Sequence, residues 1–275
     1  NFYVKMVQAG EASGTLSNIF AQVREFTERD MEARAKVKKA MRYPMFVMIA
    51  IILAGYVQIS VVLPKMAKTM FSGQDELPLP TRIMLNISDA LSAYGLIALI
   101  VVGAIIAGIK YYTRTPEGGY NVDSLMLRLP KIGQLIRSTS VSRFAQMLNV
   151  LVSSGVQVVD ALAIASETVD NNVYEKDLKK ARKDVLGGIP MSEALQSKYM
   201  PDMAISLISI GEKTGALSEM LEGVADYFTS DMDDKIDGLT AAIEPIMTLI
   251  ITLFVGMFVL AVFLPMIQGV TGQLG

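Results

Sequence analysis

A seven-residue motif occurs twice in this chain, and a proline follows each copy at the same distance. Residues 10–16 read GEASGTL and residues 211–217 read GEKTGAL, an offset of 201 residues (211 − 10). The same offset carries Pro44 to Pro245, and no gap is needed between residues 10 and 64. Self-similarity at a fixed offset is typical of a duplicated structural unit. We therefore expect two copies of one architecture.

The composition of this duplicated chain favours a membrane protein. Hydrophobic residues make up 52% of the 275 residues, and the mean hydropathy is +0.41. A helix needs roughly 20 apolar residues to cross the hydrocarbon core of a bilayer. Three segments, at 45–63, 90–109 and 246–264, approach that length and contain no charged residue. We predict three transmembrane helices from them.

Prolines bracket the first and third of these segments. Pro44 and Pro245 precede them, at a helix start that tolerates a missing backbone N–H. Pro64 and Pro265 follow them, where a helix can stop or kink. Glu244 is expected at the cytoplasmic edge of the third span, where a charge costs little. We predict these five residues as span boundaries.

Basic residues lie mostly on one side of the predicted spans, and such an excess is typical of cytoplasmic segments. They precede the first span and follow the second, at Arg34, Lys36, Lys38, Lys39, Arg42, Lys110 and Arg114. The loop at 65–89 balances its basic residues with acidic ones, and the tail after Pro265 is uncharged. We expect the N-terminal and central segments in the cytoplasm, and the loop and the C-terminus on the other side.

The central segment has the apolar spacing of short helices and no strand pattern of useful length. Helices are predicted at 143–152, 159–168, 174–186, 192–196 and 203–210, the last ending in a turn at Gly211. An apolar stripe at helical spacing follows, at Leu217, Met220, Leu221, Val224 and Tyr227. These features predict a small helical bundle.

The N-terminal segment repeats the end of this bundle, since Leu16, Phe20, Val23 and Phe26 carry the same apolar stripe. The counterpart of 143–201 would lie before Asn1, so we expect about 60 residues of a first bundle to be missing. The predicted fold is an all-α polytopic membrane protein with three transmembrane helices and duplicated cytoplasmic helical-bundle domains. Its parts are a truncated first cytoplasmic domain at 1–42, spans at 43–64, 90–110 and 242–267, a periplasmic loop at 65–89, a second cytoplasmic domain at 111–241 and a periplasmic tail at 268–275.

Several short motifs occur in a set order around these elements. The pattern Gly-Glu-x-Ser/Thr-Gly-x-Leu is present twice, residues 77–82 read LPLPTR, and residues 154–156 read SGV. The first predicted span begins after Tyr43 and the third begins after Glu244, and each of the two ends at a Leu-Pro pair. In this order, the motifs resemble the inner-membrane platform proteins of bacterial type II secretion and type IV pilus systems. The resemblance covers essentially the whole chain.

The resemblance implies a non-enzymatic protein of the bacterial inner membrane, with no catalytic residue, cofactor or metal. Such a platform couples a cytoplasmic hexameric ATPase, for assembly or retraction, to the extraction of pilin or pseudopilin subunits and their addition to a filament. Other implied partners are inner-membrane assembly proteins, membrane lipid and further copies of the chain in a dimer or trimer, but no nucleic acid. The sequence agrees, since it lacks Cys, His and a Gly-x-x-x-x-Gly-Lys-Ser/Thr phosphate loop.

The alternative function is a membrane transporter or channel with duplicated domains. Internal repeats and a binding site near the middle of the membrane are typical of transporters. No predicted span of this chain holds a charge at its centre. The sequence therefore favours the platform.

The repeated motif has two interpretations. It comprises Gly10, Glu11 and Gly14 in the first copy and Gly211, Glu212 and Gly215 in the second. In the structural interpretation, the glycines permit a tight turn between packed helices and each glutamate accepts hydrogen bonds from backbone N–H groups at the start of the next helix. In the other interpretation, the motif contacts the ATPase directly.

Two further features have alternatives of the same kind, and a third carries a single expectation. An acidic run comprises Asp231, Asp233, Asp234 and Asp237. The favoured interpretation of this run is an exposed helix face, and the alternative is a cation site. Gln58 hydrogen-bonds to another span or meets a pilin helix. A charged solvent face on the helix at 174–186 is expected to meet the ATPase, through Lys176, Lys179, Lys180 and Lys183.

Overall fold

The chain is helical in the part that the structure describes. The computed structural model describes residues 16–65 and 79–272, and no strand occurs among them. We label the helices α1 (Leu16–Val57), α2 (Leu79–Thr113), α3 (Pro116–Arg128), α4 (Ile132–Ser153), α5 (Val158–Ser166), α6 (Asn172–Leu186), α7 (Met191–Ala194), α8 (Asp202–Thr214) and α9 (Leu217–Gly272). A π-helical turn, Gln58–Val62, follows α1. The all-α prediction is confirmed for these residues.

The described residues divide into two compact units. The bundle unit holds those of Asn1–Lys38 and Tyr111–Leu239, and the span unit holds those of Lys39–Lys110 and Thr240–Gly275. The two longest helices, α1 and α9, contribute to both units. They begin 201 residues apart (217 − 16), which is the offset of the sequence repeat.

An apolar core holds the bundle unit together. Phe144, Leu148 and Leu151 on α4 are at most 1% exposed, and α5, α6 and α9 each add leucines to the same cluster. Burial of each such side chain contributes roughly 1.5–3 kcal/mol. Asn171 caps α6, because its side-chain oxygen accepts hydrogen bonds from the backbone N–H groups of Val173 and Tyr174.

The predicted apolar stripe of α9 is shifted by one residue at its end. Leu221 and Val224 are fully buried, as the stripe predicts. Tyr227 is 48% exposed, whereas Phe228 is only 5% exposed. The inclusion of Tyr227 in the buried stripe is therefore wrong. Phe228 stands four residues after Val224, on the same helix face, so it fills the core while the tyrosine hydroxyl stays near water.

Both long helices run through prolines that the sequence predicts as helix punctuation. α1 continues across the buried Pro44, and α9 continues across Pro245 and Pro265. The predicted helix starts at Pro44 and Pro245 are therefore wrong, and α9 does not stop at Pro265, although the prolines stay predicted boundaries of the membrane. Helices in membranes tolerate proline, because neighbouring groups and local π-helical adjustments satisfy the freed backbone atoms. Such an adjustment, the turn Gln58–Val62, directly precedes Leu63 and Pro64.

Two helical segments among the described residues are long and apolar enough to cross a membrane. They are Arg34–Lys65 and Leu217–Leu264, which include the first and third predicted spans. The second predicted span falls on α2, which bends by 66° between Thr81–Gly95 and Ile97–Thr113. It is long and apolar enough to cross a membrane only if these two arms are counted as one span. Gly95 lies at the end of the first arm, and glycine is common where helices kink.

A close contact at a glycine and a buried hydrogen bond join helices of the span unit. Thr81 Oγ1 donates to the carbonyl oxygen of Ala261 at 2.7 Å and so joins α2 to α9. A Cβ added at Gly55 of α1 would stand 3.1 Å from Cζ of Phe254 on α9. Small residues and side-chain hydrogen bonds are typical of packed transmembrane helices.

Candidate functional site

The second copy of the repeated motif joins α8 to α9. Gly215 ends α8 in the left-handed conformation, with φ 76°. A Cβ at this position would meet no atom within 4 Å, so the backbone conformation alone requires glycine. The tight turn that the structural interpretation of the motif expects between two helices is present at Gly215.

Gly211 permits a close helix contact instead of a turn. It lies inside α8, which continues to Thr214, so the predicted turn at Gly211 is wrong. A Cβ at Gly211 would stand 2.9 Å from Cα of Leu217 and 3.1 Å from Cβ of Met220. Glycine therefore lets α8 approach the first turn of α9 closely.

Glu212 fastens α8 to an earlier part of the chain. Its Oε1 accepts a hydrogen bond from the backbone N–H of Met191 at 2.5 Å. Its Oε2 accepts from the backbone N–H of Ser192 at 3.1 Å and from Ser192 Oγ at 2.8 Å. Partial burial raises the pKa of the Glu212 carboxyl, but these hydrogen bonds outweigh it and hold the pKa below its ordinary value.

This geometry corrects part of the structural interpretation of the motif. The glutamate does accept backbone N–H groups at a helix start, but that helix is α7, which precedes α8, and not α9, which follows it. The first copy of the motif, with Gly10, Glu11 and Gly14, lies outside the described residues. A shallow groove of about 530 Å³ flanks the second copy and is lined by Ile189, Ser209, Glu212 and Lys213 among others. Direct contact of this region with an ATPase stays a prediction.

The lysines of α6 border a larger groove. Its volume is about 790 Å³, and it lies between the first turns of α3 and the exposed side of α6. Its lining includes Tyr120 and all four predicted lysines, Lys176, Lys179, Lys180 and Lys183. The Nζ of Lys176 stands 4.6 Å from the centre of the Tyr120 ring, and Lys179 Nζ pairs with Glu175 Oε1 at 2.5 Å.

The acidic run on α9 is used in contacts within the bundle unit. Asp231 pairs with Lys235 and accepts a hydrogen bond from Ser138 Oγ at 2.5 Å. Asp233 pairs with Lys36 of α1. Asp234 and Asp237 are exposed. Within the described residues, no group of three or more acidic side chains is arranged to hold a metal ion. The interpretation as an exposed helix face therefore fits Asp234 and Asp237. It did not predict the ion pairs of Asp231 and Asp233.

A charge cluster at Asp170 was not predicted from the sequence. Asp170 Oδ2 pairs with Arg34 of α1 at 2.8 Å and with Arg143 of α4 at 2.6 Å. Burial raises the pKa of Asp170, but the two guanidinium groups outweigh it and the pKa lies below the ordinary value. The partners are 136 and 27 residues away, so no local pattern marks the cluster.

Gln58 lies in the π-helical turn of the span unit. Its Oε1 and the Oγ of Ser60 are buried without a hydrogen-bond partner among the described residues. A buried oxygen without a partner costs free energy in an apolar environment, so a contact with a polar group of another helix would be favourable. At the predicted start of the third span, Glu244 and Pro245 are exposed.

The sequence model of the family described as type II secretion system (T2SS), protein F, matches residues 1–64 and 144–265, more than half of the chain. The chain belongs to this family. The two matched segments end 201 residues apart (265 − 64), at the offset of the repeat.

Relatives of this family member carry names from two systems. Type IV pilus assembly protein PilC of Thermus thermophilus is 38% identical over 268 residues, which cover 97% of this chain and 66% of that protein. PilC of Pseudomonas aeruginosa is 32% identical, over 97% of this chain and 72% of that protein. Type II secretion system protein F of the same organism is 31% identical, over 97% of this chain and 66% of that protein. The chain thus spans about two thirds of the length of these relatives.

Proposed function

We propose that this chain is the inner-membrane platform of a type IV pilus or type II secretion system. It couples a cytoplasmic hexameric ATPase to the extraction of pilin or pseudopilin subunits from the membrane and to their addition to a filament. The observation that carries the proposal is the match of one family over 1–64 and 144–265, with relatives from both systems that cover 97% of the chain. The separation into a helical bundle unit and an apolar span unit supports it.

The proposed architecture is a duplication with three transmembrane helices. The common offset of the motifs, of the starts of α1 and α9 and of the family matches supports the duplication. The N-terminal and central segments lie in the cytoplasm, and the 65–89 loop and the C-terminus lie in the periplasm. The excess of basic residues beside the spans supports this topology.

The proposed partners divide between the two units. The bundle unit, with its charged and solvated faces, meets the ATPase, and the apolar helices of the span unit meet pilin subunits, because packing in lipid depends on apolar contact and small residues. Other inner-membrane assembly proteins and further copies of the chain, in a dimer or trimer, complete the platform. The transporter alternative gains no support from the family relatives.

Co-purification tests the proposal. The full-length protein, tagged and extracted from its own membranes in mild detergent, should bring down the ATPase and pilin or pseudopilin subunits. A mock purification from cells with the tag on an unrelated polytopic membrane protein is the control. Recovery of neither partner, from cells that assemble filaments, would contradict the proposed function.

A further inference from the structure

The four lysines of α6 form one stripe on the side of the helix opposite the core. At about 100° per residue, positions 176, 179, 180 and 183 fall within an arc of about 100° and extend over about 10 Å of the helix. The opposite side of α6 is buried through Tyr174, Leu178 and Ala181. The acidic residues Glu175, Asp177 and Asp184 flank the stripe on both sides.

Two of the four ammonium groups are engaged within the bundle unit and two are not. Lys176 stands over the Tyr120 ring and Lys179 pairs with Glu175. Lys180 and Lys183 are exposed, and neither has an ion-pair partner in the described part of the chain. Within the described residues, Lys180 and Lys183 thus carry unpaired charges one helical turn apart beside a groove of about 790 Å³, and such charges attract anionic groups.

The stripe ends in an exposed apolar patch. Leu186, one turn after Lys183, is 61% exposed, and Ile189 after the end of α6 is 40% exposed. Ile189 also lines the groove at the repeated turn, together with Lys213. Apolar anchors beside charged residues are typical of protein interfaces. We call Lys176, Lys179, Lys180, Lys183, Leu186 and Ile189 the stripe surface.

We infer that the stripe surface docks an acidic helical segment of the cytoplasmic ATPase. Carboxylates three and four residues apart on one face of that segment would match the lysine spacing, and an apolar residue beyond them would cover Leu186 and Ile189. This inference rests on the proposed function and adds the chemistry and position of the contact.

A membrane surface fits α6 less well than a protein does. A helix that binds at a bilayer inserts its apolar face among the lipids. The apolar face of α6 is already buried in the bundle core, at Tyr174, Leu178 and Ala181. The acidic residues beside the stripe would also repel anionic headgroups, whereas a protein partner can pair them with basic side chains.

Charge reversal in the full-length protein tests the inference. The double variant Lys180→Glu, Lys183→Glu should lower ATPase capture on the order of tenfold at low salt, since like charges now face each other. Capture by the unchanged protein should fall as salt rises, because exposed charges are screened. A second variant, Leu186→Ser with Ile189→Ser, should lower capture without changing its salt dependence.

The control has the same change in net charge on the same unit. Lys131→Glu with Lys198→Glu alters two exposed lysines outside the stripe and its groove, and should keep normal capture. Thermal unfolding midpoints should agree among all variants, because every altered side chain is exposed or half-exposed. Restoring capture by Glu→Lys changes on an acidic helix of the ATPase would identify the matching segment.

The outcomes separate the inference from the proposed function. Normal ATPase capture by the stripe variant, or an equal loss in the control variant, overturns the inference while the platform function stands. Normal capture combined with lost binding to vesicles that contain anionic phospholipid assigns the stripe to the bilayer and also overturns the inference. Absence of ATPase from the unchanged protein overturns the proposed function itself, and the docking surface with it.

Discussion

At the scale of single residues, three positions of the repeated motif have different structural roles. Gly215 supplies a positive φ, Gly211 supplies space, and Glu212 supplies hydrogen-bond acceptors to α7. Each role is local and structural, and each can be removed separately. The geometry therefore supports the structural interpretation of the second copy of the motif, and contact with the ATPase stays a prediction.

Replacement of Gly215 by Val should destabilise the bundle unit. A β-branched residue at φ 76° costs about 1–3 kcal/mol, although the surrounding space is open. Gly223→Ala is the matched control, because Gly223 is an exposed position within α9 and alanine there should stabilise the helix by about 0.5–1 kcal/mol. Thermal unfolding of the purified protein in detergent measures both. Normal stability of Gly215→Val with lost ATPase association would favour the contact interpretation of the motif.

Glu212→Gln should weaken the junction of α7 and α8 in a pH-dependent way. Loss of a helix-capping carboxylate costs about 1 kcal/mol. The pKa of Glu212 is lower in the folded protein than its ordinary value of 4.5, so its contribution is full above that value and is lost as the pH falls through the folded-state pKa.

Unfolding midpoints across acidic and neutral pH measure this effect. The difference between the unchanged protein and Glu212→Gln should be largest at neutral pH and should shrink in acid. Glu193→Gln removes a neighbouring carboxylate from the same groove and should have little effect. A difference between Glu212→Gln and the unchanged protein that does not depend on pH would refute the capping role.

At the scale of elements, helical periodicity located most of the bundle. The predicted segments at 159–168 and 174–186 correspond to α5 and α6, because their apolar faces are regular. Asn171 and Gly187 also mark the two ends of α6. The separate helix α3 was not predicted, although Thr115 followed by Pro116 is a helix-start signal, and Thr115 Oγ1 accepts a hydrogen bond from the Gly118 N–H.

Other features of the elements depend on contacts far apart in sequence. The partners of Asp170 depend on how the bundle brings α1, α4 and the loop before α6 together. The target of Glu212 lies 21 residues before it. Local sequence rules cannot identify such partners.

Contact between α1 and α9 in the span unit predicts a specific steric effect. Gly55→Leu should push the two helices apart, since even a Cβ would stand 3.1 Å from Phe254, and overpacking costs roughly 1–3 kcal/mol. Gly256→Leu on α9 is the control, because no atom lies within 4 Å of a Cβ there. Thermal stability in detergent should fall for the first variant only. An equal fall for both would mean that the Gly55 contact does not hold the spans together.

At the scale of the whole molecule, the proposed topology is a prediction from the spans and from the basic residues beside them. Reporter fusions at Gln74 and Gly275 should report a periplasmic position, and a fusion at Glu175 should report a cytoplasmic one. A fusion at Lys36 serves as the cytoplasmic control before the first span. A cytoplasmic signal at Gly275 would rule out the three-span topology.

The central claim is that the chain stands between an ATPase and pilin subunits, with each partner on its own unit. Site-specific photo-crosslinking in cells that assemble filaments tests it most directly, with probes at Lys179 on α6 and at Gln58 and Gly256 on the spans. The account predicts ATPase adducts from Lys179 and pilin adducts from the span positions. Pilin captured only from α6, with both span positions silent in the same assembling cells, would contradict it.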